Sequence, residues 1–212
     1  MTTITMPEID LRALAARDAV RERDAPKHRL WLPEYTNLVQ NGGFDSDTVW
    51  EKAGVWTITG GVAYRSAAST TPLKQSALMS VGLHYSVTYS ISDITTGTLT
   101  SRLGDTLLTT RSTNGTFSEA GTASLNGDLA FVQTSVFDGD LDNVSLWEAN
   151  PDNNAPWLRL PPGFKPYQVV RDGVYLHQTD YHVRQNGPYQ YFVEPIAAPG
   201  VATRFAIEAE VI

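Results

Sequence analysis

Between residues 83 and 92 the side chains alternate without a break. Leu83, Tyr85, Val87, Tyr89 and Ile91 are apolar or aromatic, while His84, Ser86, Thr88, Ser90 and Ser92 are small or polar. A period of two sends each set to its own face, so the stretch predicts a strand buried on one side. Similar short runs fill residues 34–149, rich in Thr, Ser, Val, Gly and Tyr. Turn signals divide them at Asn41-Gly42-Gly43, Gly60-Gly61, Asn114-Gly115, Asn126-Gly127-Asp128 and Asp138-Gly139-Asp140. Short strands at that spacing predict an all-β unit, a sandwich or jelly roll. Phe44, Trp50 and Trp56 read as its core anchors. Near its end, Val144 and Leu146 should face in, and Asn143, Ser145 and Trp147 out. An outward Trp needs cover, which the following linker, Trp157 or another subunit could supply.

The pattern changes on either side of this unit. In residues 1–33 the period becomes helical. Thr5 and Glu8 form a capping box with Pro7 in the first turn, and DLRALAARDAVRER follows. Ile9, Ala13, Ala16 and Val20 make a narrow apolar stripe, and Pro26 and Pro33 lead into an extended connector. Two readings fit: a helix packed on its own domain, or an arm whose stripe docks on a neighbouring subunit. The terminal position before a Pro-bounded link favours the arm. Residues 150–165, NPDNNAPWLRLPPGFK, read as a Pro/Asn-rich linker. Residues 166–212 return to strands, with hairpin turns expected at Asp172-Gly173 and Asn186-Gly187. So few large aliphatics in so short a module make a thin core, which suits assembly with further copies, most simply as a trimer or ring.

Composition narrows the function. The chain has 212 residues and no cysteine, which excludes disulfide frameworks, thiolate metal sites and cysteine nucleophiles. A net charge of −7 argues against nucleic acid as a partner. No apolar run is long enough to cross a bilayer, and residues 1–20 lack the apolar centre of a secretory leader. H-E-x-x-H, G-x-S-x-G, Walker A and dinucleotide fingerprints are all missing. The histidines are His28, His84, His177 and His182. The last two are five apart in a β module, on opposite strand faces, which suits no shared metal. No enzymatic activity is expected.

Two stretches resemble known modules. NLVQNGGFDSDTVWEKAGVWTITGGVAYRS, closing with FDGDLDNVSLWE, resembles the jelly-roll carbohydrate-binding modules of xylanases and cellulases over roughly residues 37–148. Modules with this opening are also frequent in tailed-phage virion proteins. VVRDGVYLHQTDYHVRQNGPYQYFVEPIAAPG resembles the small β modules of phage tail fibres, through Asp172, Gly173, Leu176, Asp180, Tyr181, Val183, Phe192, Pro195, Pro199 and Gly200.

The first resemblance implies a structural calcium between the opening and closing strands, with Asp45 and Asp142 at the matching positions. Calcium takes six to eight oxygens, and acids at Asp-Gly turns also serve simply as turn caps. It also implies a glycan face built from aromatics and polar groups. The outward face of the clearest strand carries His84 but no aromatic, and Tyr64 is the nearest candidate platform.

The expected fold is therefore mainly β: a jelly-roll β-sandwich with an N-terminal helical arm and a small C-terminal β module. The expected function is that of a non-enzymatic structural protein of a phage-like virion, such as a capsid decoration, head fibre or tail fibre. It would be assembled in the bacterial host cytoplasm. Its partners would be other virion proteins, docked through Ile9, Ala13, Ala16 and Val20, and its own copies as a homotrimer. The alternative is a carbohydrate-binding module that attaches a particle or an enzyme to host glycans.

Overall fold

The computed structural model describes residues 29–31, 35–53, 56–65, 69–197, 199–200 and 202–211. Every regular element among them is a strand, and every strand pairing is antiparallel. The helical arm expected through Ile9, Ala13, Ala16 and Val20 lies outside the described residues.

Two short strands come first, β1 (Arg29–Trp31) and β2 (Tyr35–Thr36). Nine more follow: β3 (Trp56–Thr59), β4 (Val62–Arg65), β5 (Leu73–Gln75), β6 (His84–Thr96), β7 (Leu99–Leu103), β8 (Thr106–Arg111), β9 (Gly115–Thr122), β10 (Leu129–Gln133) and β11 (Asp138–Glu148). They form two sheets, ordered β3-β4-β11-β6-β9 and β5-β10-β7-β8. One apolar core draws on both sheets. Tyr85, Val87, Tyr89 and Ile91 of β6 meet Leu99 and Leu103 of β7 and Phe131 of β10 there. The alternation of β6 holds over most of its length: these four side chains are buried, whereas Thr88 and Ser90 are half-buried and Ser92 is exposed, but Ser86, expected on the polar face, is buried as well. Phe44, Trp50 and Trp56 are buried in the same core.

A second unit contains β12 (Leu158–Arg159), β13 (Phe164–Arg171), β14 (Val174–Tyr175), β15 (Tyr181–Gln185), β16 (Tyr191–Pro195) and β17 (Arg204–Val211). One sheet runs β1-β17-β13-β14, with β2 also on β17, and the other runs β12-β16-β15. Asp172 and Gly173 both have positive φ, 51° and 81°, as the tight β13–β14 hairpin requires. The Pro/Asn-rich stretch is more than a spacer: within it, β12 pairs with β16. The connector after residue 28 likewise enters this unit, because β1 pairs with β17 in the register Arg29↔Glu210.

Among the described residues the second core has nine buried members against twenty-one in the first. One of the nine, Trp147, belongs to β11 of the first unit. Trp147 points away from the first core, as its position beside Leu146 demands. It is 4% exposed and meets Phe205 edge-on, with ring centroids 5.9 Å apart. The cover for this outward Trp is therefore the second β unit of the same chain.

Candidate functional site

The opening and closing motifs meet. Asn37 acts like a short piece of strand: its side-chain oxygen accepts from Leu146 N at 2.8 Å, and its Nδ2 donates to the Val144 carbonyl at 3.3 Å. Val144 N donates to the Gly42 carbonyl at 2.8 Å. This clasp brings Asp45 within electrostatic reach of Asp142. Burial holds the Asp142 carboxyl above its usual range. Asp45's charge adds to that, and a hydrogen bond from Asn143 N opposes it. The pair fits the anionic part of a calcium site, since a cation would relieve the repulsion. Among the described residues no group of three or more acidic or His side chains gathers, so main-chain and water oxygens would have to complete such a shell.

Tyr64 and His84 share the outer face of the β3-β4-β11-β6-β9 sheet but not a neighbourhood. Tyr64 lies opposite Asp140, which pairs with Ser92, so His84 is eight residues further along β6. At about 3.3 Å per residue that is ~26 Å, too far for one sugar ring. Between them lie small hydroxyls, with Ser90 and Thr116 linked at 3.0 Å. His84 is engaged by protein: Nε2 lies 2.8 Å from Asn154 Oδ1, and Nδ1 lies 3.4 Å from Thr122 Oγ1.

A buried polar tie joins the two sheets of the first unit. Glu119 on β9 accepts from Ser101 Oγ on β7 at 2.6 Å and from Arg111 Nε on β8 at 2.7 Å. Burial, and then the Glu119 charge, push the nearby Tyr89 phenol up to about 12. Glu119, Ser101 and Arg111 are spent on one another, so the three read as a structural tie.

The richest chemistry lies where the two units join, in residues whose roles sequence patterns do not announce. Glu148, at the end of β11, accepts from Trp157 Nε1 at 3.0 Å and from Arg159 Nε at 3.0 Å. Trp157 stacks on Phe192 with centroids 4.0 Å apart and planes 20° from parallel. Beside this stack the 150–157 loop and the β15–β16 hairpin enclose a cleft of about 620 Å³. Behind the lining residues, Glu194, 5% exposed, accepts from Asn153 Nδ2 (2.9 Å), Arg184 Nε (3.3 Å) and Asn150 Nδ2 (3.4 Å). Burial raises its pKa, but these donors outweigh burial and hold the carboxyl below its usual range. The asparagines of this loop were visible in the sequence only as turn formers. Their convergence on a carboxylate 41–44 residues away needed the fold.

The second unit also leaves much apolar surface open. Tyr167, Val174, Tyr175, Val183, Tyr189, Ile196 and Val211 are all exposed. Comparison with known protein families and with curated proteins finds no match for this chain.

Proposed function

We propose that this protein is a non-enzymatic structural component of a phage-like particle that assembles as a homotrimer through its second β unit. The observation that carries the assembly reading is the imbalance of that unit. Its own core is small and borrows Trp147 from β11, yet seven large apolar side chains stay exposed. Burying apolar surface between symmetric copies would correct that imbalance, and weak contacts repeated by symmetry add up. The particle reading rests on the resemblance of residues 37–148 and of the last module to virion parts. In this reading the first unit is a jelly roll, and residues 1–33 carry the helical docking arm and its connector.

Light scattering of the full chain should give the mass of three copies. Lys at both Val174 and Val183, two exposed positions, should reduce it to one copy with an unchanged circular dichroism spectrum. A wild-type mass of one copy at tens of micromolar would sink the assembly reading.

A structural calcium at Asp45 and Asp142 belongs to the same reading. The folded-state pKa of Asp142 is raised, so its contribution to stability is full at acid pH and is lost as pH rises through that value. At neutral pH in chelator, Asp142→Asn should therefore stabilise the fold, by less than ~1 kcal/mol for a partly solvated charge. Calcium should raise the melting temperature of wild type and leave that of the variant unmoved. An equal calcium response in both proteins would remove the site.

A further inference from the structure

We propose that the cleft between the 150–157 loop and the β15–β16 hairpin binds a neutral sugar ring. Neither Tyr64 nor His84 lines it, although His84 touches the same loop through Asn154, and the proposal does not depend on how the chain assembles.

The size is suitable: about 620 Å³ falls within the range of small-ligand sites. Its walls differ in character. Half-buried Trp157 supplies an aromatic wall, which suits the C–H face of a pyranose, and the buried Phe192 ring, stacked on Trp157 and met by the Arg159 guanidinium, backs it. Opposite in chemistry are Asp152, Arg184 and Asn186, which also line the cleft. Each ends in a planar group able to make two parallel hydrogen bonds, the geometry that adjacent ring hydroxyls match.

These three ends are free to do so. Arg184 spends only Nε, on Glu194, which leaves both terminal nitrogens without a partner among the described residues. The Asp152 carboxylate and the Asn186 side-chain amide have no hydrogen-bond partner there either; each residue bonds only through its backbone N–H. Beneath them the frame is rigid. Asn150 and Asn153 donate to the buried Glu194, while their oxygens accept from Asp152 N and Ala155 N, both at 3.0 Å. The organised base needs no ordering on binding, so that cost falls on the three exposed ends alone.

Charge does not call for an ionic ligand. Asp152 and Arg184 give the lining one negative and one positive charge, and Glu194 is buried behind it and already held by Arg184. A balanced lining gives a charged ligand no net attraction, and a purely apolar ligand would strand the three free polar groups.

The test is saturation-transfer NMR on the full chain, using neutral hexose and N-acetylhexosamine oligosaccharides beside matched uronate-containing ones and an unrelated peptide. Transfer to neutral sugars is expected. Asp152→Ala and Asn186→Ala should each weaken binding about ten-fold, the loss of a good hydrogen-bond pair, without moving the melting temperature. Both side chains lack structural partners, so a folding defect would not confuse the result. No transfer to any neutral sugar would overturn the proposal. So would binding that both variants leave intact, or a preference for uronates or the peptide.

Discussion

Trp147→Ala should destabilise the protein by about 3–5 kcal/mol, the range for truncating a buried aromatic. The reason is its position. Trp147 grows from β11, the strand that pairs with both β4 and β6 in the first unit, and its ring lies in the core of the second. Its edge-on contact with Phe205 is one of the direct links between the two bodies. Losing the ring opens a cavity in the smaller of the two cores, which has nine buried members among the described residues. Calorimetry should then show one transition for wild type and two for the variant, with the second unit melting first. Phe at the same position should cost much less than Ala. The indole Nε1 is buried with no hydrogen-bond partner among the described residues, so Phe keeps a ring and removes an unsatisfied donor. A loss below ~1 kcal/mol for Trp147→Ala, with one transition retained, would show that the units are not energetically joined here.

Gly42→Ala should cost about 3 kcal/mol or more, at the upper end of overpacking effects. A Cβ at position 42 would lie 1.9 Å from the Val144 carbonyl oxygen. That atom is backbone in a central strand and has nowhere to go. Relief would require breaking the bond from Val144 N to the Gly42 carbonyl and loosening the Asn37 clasp beside it. The neighbouring glycine is the control. A Cβ at Gly43 meets nothing nearer than Asp45 Oδ2 at 3.8 Å, so Gly43→Ala should change stability by ~0.5 kcal/mol or less. Urea titration of the two variants side by side decides the matter. Equal effects at both positions would refute the close backbone approach.

These two expectations differ in how far they can be read from the chain. The Asn-Gly-Gly motif stands out by its sequence, which suggests a turn. The clasp explains why position 42 in particular excludes a side chain, and the partner strand begins almost a hundred residues later. Trp147 was legible as outward-facing from its place beside Leu146, but nothing local named Phe205 as its cover. The candidate glycan residues show the opposite limit. Tyr64 and His84 both face outward, yet the register of β4, β11 and β6 sets them at different ends of the sheet.

By itself the sequence determined that the chain past residue 34 is β-rich, that β6 buries Tyr85, Val87, Tyr89 and Ile91, and that Asp172-Gly173 turns a hairpin. Those properties depend on a few neighbouring residues and on the two-residue period of a strand. Only the tertiary structure decided that β1 would pair with β17, that the 150–165 stretch would lend a strand to the second unit, and that Asn150, Asn153 and Arg184 would converge on Glu194. Alternation says which face of a strand seeks cover. What covers it is chosen by packing and hydrogen bonding between segments far apart in the chain.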